Sequence, residues 1–194
     1  MMTNSALVVT GMATSGFVVG LAVNAAVHRS PRHERTTLAS RRFVIELTTA
    51  LLFAALTLRF GITAELPAYL YLVTVGVALT LIDFDVRRLP DSVILPSYVI
   101  TVVLLLPAGA GSGDWHGAVR GLSGMAALLV LYFALALAYP NGLGFGDVKL
   151  AGLIGLYLGW LSWNALFVAA FGSLLIATAG GTAAVLTKRA SRHS

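Results

Sequence analysis

The stretch Leu66–Ile82, LPAYLYLVTVGVALTLI, carries no charged side chain and runs directly into Asp83. A second apolar stretch, Val148–Trp160, directly follows the tetrapeptide Gly144–Asp147, GFGD. Apolar runs of this length are typical of buried or membrane-crossing helices. Ionisable groups at membrane depth are costly and therefore mark functional sites. The pattern predicts a helical membrane protein in which two aspartates carry the chemistry.

The overall composition also indicates a membrane protein. Hydrophobic residues make up 58% of the 194 residues, charged residues only 11%, and the mean hydropathy is +0.87. Soluble domains carry roughly 25% charged residues. Because so few charges cannot cover a water-facing surface, the lipid bilayer is the expected solvent. At this length we expect one integral membrane domain over residues 1–194.

Several classes of function are disfavoured by the polar residues. The net charge is +5, but the basic residues cluster beside apolar segments, which is typical of topology determinants and not of a nucleic-acid groove. There is no cysteine, so a disulfide, a thiolate nucleophile and a cysteine-based zinc site are excluded. The histidines are scattered, and we expect neither a metal site nor a cofactor. They are His28, His33, His116 and His193.

The chain contains about seven apolar segments and is predicted to form an all-α, polytopic membrane bundle. The sixth segment is shorter than the roughly 20 residues that cross a bilayer, so a six-span arrangement remains open. The sixth segment can also begin earlier than Val148, near Gly144. The segments are Ala6–Val27, Phe43–Phe60, Leu66–Ile82, Val93–Leu106, Val119–Tyr139, Val148–Trp160 and Ala165–Thr187.

The distribution of arginine and lysine predicts the orientation. Residues 28–42 form a basic loop with five arginines and one acidic residue, which is typical of a cytoplasmic loop. If this loop is cytoplasmic, 11 of the 13 basic residues lie on the cytoplasmic side, and only Arg59 and Arg120 lie on the outer side of the membrane. Two spans separate Asp83 from Asp147, and an even number of crossings returns the chain to the same face. Both carboxylates are therefore expected near the cytoplasmic interface of the plasma membrane.

Each acidic residue also has a structural interpretation. Asp147 follows a Gly-x-Gly and can cap a helix, and Asp91 has the position of an N-cap. Asp83 is harder to explain in this way, because it lies on the apolar side of the boundary; Arg87, four residues later, can pair with it on a helix and favour its ionised form. Glu46, about four residues into a span, either contacts the two aspartates or pairs with a loop arginine, and we favour the pairing.

These motifs together resemble the type IV prepilin peptidases, which are Gly-x-Gly-Asp membrane aspartyl proteases. The paired signature is Ile82–Asp85, IDFD, with Leu89–Asp91, LPD, followed by Gly144–Leu150, GFGDVKL. Upstream, Gly20–Arg29 is similar to the exit of the family's first helix, and Arg41–Leu47 is similar to the opening of its second. The joint occurrence of the motifs in this order is far more specific than any one of them.

The resemblance implies a function. The catalytic aspartates of the family match Asp83 and Asp147. The implied substrate is a prepilin or pseudopilin precursor with a basic leader, cleaved at the cytoplasmic face after a glycine. Many members of the family also N-methylate the new N-terminus and carry a loop with two Cys-x-x-Cys pairs. Here the cysteine-free segment Ser30–Ser40 stands in its place, so we expect a short and mainly proteolytic form.

The expected chemistry is acid–base catalysis by two carboxylates that share a proton. Gly144 and Gly146 either let the backbone approach the substrate or serve helix entry and close packing. Lys149 either contacts the site or, as we favour, lies at the interface. Two alternatives to a peptidase remain. One is a small proton-coupled transporter subunit with Asp83 and Asp147 as a relay, and the other is a catalytically inactive scaffold for pilus assembly.

The orientation can be tested with single cysteines, because the chain has none of its own. Cysteines at Ser40 and Ser191 should react with an impermeant thiol reagent only from the cytoplasmic side, and one at Ser112 only from outside. Labelling of a cysteine at position 40 from outside would show that the predicted orientation is wrong.

Overall fold

The computed structural model describes residues 2–28, 38–86, 89–113, 115–138 and 143–190. Within these residues every regular element is an α-helix, so the predicted all-α class is confirmed. The helices are α1 (Met2–His28), α2 (Leu38–Phe60), α3 (Leu66–Val86), α4 (Asp91–Ser112), α5 (His116–Ala138), α6 (Phe145–Leu161) and α7 (Trp163–Ala190).

Six of the seven helices begin before the apolar segments predicted for them, and two of these starts concern predicted site or loop residues. Helix α2 begins at Leu38, so Arg41 and Arg42 of the predicted basic loop lie on its first turns; residues 29–37 of that loop lie outside the described residues. Helix α6 begins at Phe145, which brings Asp147 inside its first turn.

Three of the described helices are long and apolar enough to cross a membrane. These stretches are Leu66–Phe84, Asp91–Gly111 and His116–Ala138. Leu7–Val23 and Trp163–Ile176 are shorter apolar stretches. The chain is therefore a multi-pass membrane protein, while the number of seven or six spans stays a prediction.

The chain divides into two compact units. The first unit, Met1–Asp114, contains α1 to α4, and the second unit, Trp115–Ser194, contains α5 to α7. The prediction of one peptidase domain over residues 1–194 stays a prediction.

In the first unit, α1 packs closely against α2 through two glycines one turn apart. A Cβ atom on Gly16 would lie 2.8 Å from Cγ of Phe53, and one on Gly20 would lie 3.0 Å from Cα of Glu46. Small residues at this spacing let helix backbones approach closely within a membrane. The buried Glu46 thus lies where α2 is nearest to α1.

An aromatic stack fixes the register between α2 and α3. The rings of Phe60 and Tyr69 lie 4.5 Å apart at an interplanar angle of 14°. Gly61 ends α2 with a positive φ of 65°, a conformation that favours glycine, and its N–H donates to the Thr57 carbonyl. The guanidinium of Arg59 lies 5.7 Å from the centre of the Phe60 ring.

In the second unit, α5 and α6 touch backbone to backbone. A Cβ on Gly124 would lie 2.6 Å from the Gly155 carbonyl oxygen, and one on Gly159 would lie 2.6 Å from the Arg120 carbonyl oxygen. A Cβ on Gly121 would lie 3.1 Å from the carbonyl oxygen of Leu156, which is a tight contact. No side chain fits at Gly124 or Gly159 without a backbone shift, so these glycines set the separation of the two helices.

Arg120 of α5 binds the C-terminal end of α6. Its Nε donates to the Gly159 carbonyl at 2.7 Å, and its Nη2 donates to the carbonyls of Trp160 and Leu161. These carbonyls belong to the last turn of α6, where helix geometry leaves acceptors without intrahelical partners. The cation also interacts favourably with the negative end of the helix dipole. One of the two arginines assigned to the outer face is thus required by the fold.

The α5–α6 contact predicts a steric penalty for Gly124→Ala. The new methyl group would meet the backbone of α6, so the helices must separate, at a cost of about 1–3 kcal/mol. Gly172→Ala in α7 is the matched control, because a Cβ there meets nothing within 4 Å. The control should be neutral or more stable by up to about 1 kcal/mol. Thermal unfolding of both variants in detergent measures the difference, and equal melting temperatures would contradict the close contact.

Candidate active site

Asp147 occupies the third position of α6 and helps to begin that helix. Gly144 is the N-cap residue, with an extended φ of −81° and ψ of 153°. The Gly144 N–H donates to Oδ2 of Asp147 at 3.1 Å, and the Asp147 N–H donates back to the Gly144 carbonyl at 3.1 Å. Asp147 therefore caps α6 as expected from the sequence, but from the third helical position and not as the N-cap.

The capping bond uses only part of the Asp147 carboxylate. Among the described residues, Oδ2 is the oxygen that accepts a hydrogen bond, and the side chain is half-buried. A carboxylate at a helix N-terminus is also stabilised by the helix dipole. The local structure thus holds the carboxylate in one orientation and leaves Oδ1 for a water or a substrate group.

Gly144 is not required by the local packing. A Cβ there would lie 3.5 Å from Oδ2 of Asp147, which is an ordinary contact, and the φ of −81° suits any residue. The expectation that this glycine serves close packing is therefore not supported within the second unit. Gly146 and Lys149 lie on the first turns of α6 and are half-buried. Their supporting functions stay predictions.

Asp83 lies in the last turn of α3 and is exposed, as is the neighbouring Phe84. A negative side chain at a helix C-terminus interacts unfavourably with the helix dipole. Capping and dipole stabilisation therefore do not explain an aspartate at this position. Arg87, which was expected to pair with Asp83, lies outside the described residues.

Glu46 is buried on α2, with 7% of its surface exposed. It precedes Phe60 by 14 residues, and Asp83 follows Tyr69 by the same number. Because Phe60 and Tyr69 are stacked and α2 and α3 run in opposite directions, both carboxylates lie about 21 Å along their helices from this stack. Glu46 thus lies at a similar height to Asp83 in the first unit. The loop arginines that were its expected partners lie outside the described side chains.

The two candidate catalytic residues lie in different units. Asp83 belongs to the first unit and Asp147 to the second. Their pairing stays a prediction from the sequence. Within the described residues, no group of three His, Asp or Glu side chains is placed to hold a metal ion.

Sequence reasoning did not identify Arg120 or the α5–α6 glycines as important. Arg120 was counted only as an external charge, although it binds the end of α6. The glycines did carry a signal, because Gly121 and Gly124 on α5 face Gly155 and Gly159 on α6. Small residues at this spacing on consecutive apolar helices indicate close packing.

Comparison with known proteins identifies the family of this chain. The model of the type IV leader peptidase family matches residues 70–182, a range that includes both Asp83 and Asp147. The chain therefore belongs to the type IV leader peptidase family, and the resemblance seen in its motifs is confirmed.

The chain is also similar to proteins named prepilin leader peptidase/N-methyltransferase. It is 33% identical to that of Bacillus subtilis over 151 residues, covering 76% of this chain and 56% of the relative. It is 30% identical to that of Escherichia coli over 184 residues, covering 86% of this chain and 77% of the relative. It is 33% identical to that of Neisseria gonorrhoeae over 162 residues, covering 82% of this chain and 54% of the relative. The chain spans about half the length of most of these relatives, and no solved structure matches it.

The hydrogen bond at the start of α6 predicts different stabilities for two Asp147 variants. Asp147→Asn keeps an acceptor oxygen for the Gly144 N–H and should unfold close to the wild-type temperature. Asp147→Ala removes the acceptor and should lose about 1 kcal/mol. Thermal unfolding in detergent measures both. If the alanine variant is as stable as the asparagine variant, the capping bond does not stabilise the helix.

Proposed function

We propose that the chain is a membrane-embedded aspartyl endopeptidase that removes the basic leader of prepilin or pseudopilin precursors. Asp83 and Asp147 are its catalytic pair. The observation that carries this proposal is the family match over residues 70–182, which includes both aspartates. The names of the relatives support a prepilin substrate.

Local geometry supports the choice of these two aspartates. The Asp147 carboxylate is oriented by the Gly144 N–H and is only partly engaged among the described residues. Asp83 lies exposed at a helix end that disfavours negative charge, so the dipole of α3 does not explain its presence there. Residues that the fold does not require are the ones whose presence needs a chemical reason.

In the proposed reaction, the two carboxylates share one proton and activate one water. The ionised aspartate takes a proton from the water, whose oxygen attacks the scissile carbonyl carbon. The protonated aspartate donates to the developing oxyanion. As the C–N bond breaks, the aspartate that took the proton from water donates it to the leaving amine. The other aspartate recovers its proton from the gem-diol as the carboxylic acid product forms, and no covalent intermediate is needed. The pair then returns to its starting protonation.

The helix ends place the two aspartates in different surroundings. Asp147 lies at the positive end of the α6 dipole and accepts a backbone N–H. Asp83 lies at the negative end of α3. The backbone therefore orients the Asp147 carboxylate, and it does not do the same for Asp83.

Gly144 supports the approach of an extended substrate. Because neither its φ nor its surroundings in the second unit require glycine, the absence of a side chain serves access to the neighbouring Asp147. An extended segment is needed at the scissile bond, since a helix keeps its carbonyls in internal hydrogen bonds. The proposed position of the site is the cytoplasmic face, on the basis of the arginine distribution.

We further propose that this chain cleaves without methylating. The names of the relatives combine a peptidase with an N-methyltransferase. In this chain the segment Ser30–Ser40 contains no cysteine and replaces the Cys-x-x-Cys loop found in many members of the family.

The catalytic pair predicts a large loss of activity on removing either charge. Asp83→Asn and Asp147→Asn should each lower cleavage of a prepilin precursor at least about hundredfold, since acid–base catalysis contributes about 10²–10⁴. Asp91→Asn is a matched control, because Asp91 is exposed in the first turn of α4. Asp85→Asn is a second control, and both controls should keep measurable activity. Mass spectrometry of the product made by the purified protein measures cleavage.

Other outcomes of this assay separate the alternatives. A folded Asp147→Asn variant that cleaves at near the wild-type rate would exclude the aspartyl mechanism. No cleavage by the wild type would favour a transporter subunit or an inactive scaffold. With the methyl donor present, the mature N-terminus should have its unmodified mass, and an added methyl group would show that the Cys-rich loop is dispensable.

A further inference from the structure

All three tryptophans of the chain lie at one end of the second unit. Trp115 directly precedes α5, Trp160 lies in the last turn of α6, and Trp163 begins α7. The Arg120 bonds to the last carbonyls of α6 show that the start of α5 and the end of α6 are at the same end. We call this region the tryptophan end. Asp147 lies at the other end of α6.

The tryptophan end has an exposed aromatic surface. Trp115 and Trp163 expose 53% and 46% of their surfaces. Trp163 is stacked on the exposed Phe167, with ring centres 6.2 Å apart. Trp160 is buried instead, and a Cβ on Gly117 would lie 3.6 Å from its indole ring. Trp160 is thus part of the packing between α5 and α6, whereas packing of the core does not explain why Trp115 and Trp163 are tryptophans.

The neighbouring helix shows what covers this surface. The stretch His116–Ala138, long and apolar enough to cross a membrane, begins one residue after Trp115. Hydrocarbon is therefore expected to begin at the tryptophan end. Indole rings have an apolar body and a polar N–H, and they are enriched at the level of lipid headgroups. The charge of Arg120 is compatible with this position because carbonyls of α6 accept its hydrogen bonds.

We propose that the tryptophan end docks into the headgroup layer of the bilayer and fixes the depth of α6. Trp160 follows Asp147 by 13 residues, which is about 20 Å along the helix. The hydrocarbon layer is about 30 Å thick. With Trp160 at one boundary, Asp147 lies about 10 Å inside the opposite boundary when α6 is near the bilayer normal. Any tilt of α6 places it deeper.

This anchor does not depend on the proposed peptidase activity. It does add to that proposal, because a carboxylate at this depth must be reached by water and by the substrate backbone through a polar opening. The tryptophan end and the depth of Asp147 can each be tested without an activity assay.

The first test uses intrinsic fluorescence, since every tryptophan of the chain lies at the tryptophan end. The full chain is reconstituted in phosphatidylcholine vesicles that contain lipids spin-labelled at the headgroup or deep in the acyl chain. The headgroup label should quench emission at least about twofold more strongly than the deep label. Trp115→Phe and Trp163→Phe should each keep this preference. Equal or stronger quenching by the deep label would overturn the anchor.

A depth control uses Phe171→Trp, which adds an exposed emitter eight residues beyond Trp163 on α7. It lies about 12 Å further along the helix, so quenching by the deep label should rise above that of the wild type. Unchanged deep quenching would show that α7 does not enter the bilayer from this end, which would also overturn the proposal.

The second test measures depth near Asp147. Phe145→Cys gives a single thiol on the exposed first turn of α6, which a small fluorophore can label. Labels midway along the acyl chain should quench this probe more strongly than the headgroup label does. A probe quenched mainly by the headgroup label would overturn the depth of Asp147. These quenching tests do not measure cleavage, and the cleavage assay of Asp147→Asn does not measure depth. Failure of the anchor and failure of the peptidase proposal are therefore distinguishable.

Discussion

The second unit depends on the direct contact between the backbones of α5 and α6. Gly124, Gly155 and Gly159 let the two backbones touch, and Arg120 binds the last carbonyls of α6. In lipid, helices gain little from hydrophobic burial, so close packing and polar contacts between helices carry the association. This contact holds α6 from its middle to its far end. Its first turn, with Gly144 and Asp147, therefore extends from a rigid support.

The two candidate catalytic carboxylates lie at opposite ends of their helices. Asp147 lies at the start of α6, where backbone N–H groups and the dipole favour an anion, and Asp83 lies at the finish of α3, where they do not. Two identical side chains thus receive different electrostatic surroundings from the backbone alone. Such a difference is what acid–base catalysis by a pair of like groups needs. Glu46 adds a third carboxylate at a similar height to Asp83 within the first unit.

Much of this organisation could be predicted from the sequence, because hydropathy and charge act over whole segments. The all-α class, the seven helical segments and the family were identified from apolar runs and from the motifs around Asp83 and Asp147. Helix ends were less accurate, although the start expected near Gly144 agrees with α6, which begins at Phe145 and is capped by the hydrogen bond between Gly144 and Asp147. The binding of Arg120 to α6 could not be predicted, since it joins residues about 40 positions apart. Contacts of that kind depend on which helices pack together.

The length of α6 has a consequence for the lipid around the protein. Its 17 residues span about 25 Å, which is less than the roughly 30 Å of a typical hydrocarbon layer. A helix shorter than the bilayer produces hydrophobic mismatch, which the lipid relieves by local thinning at a cost of fractions of a kcal/mol per Å. Under the proposed anchor, with α6 crossing the bilayer, short-chain lipids would match α6 without this deformation, and thicker bilayers would compress around it. The acyl-chain length of the host membrane would then set how much lipid separates the first turn of α6 from water.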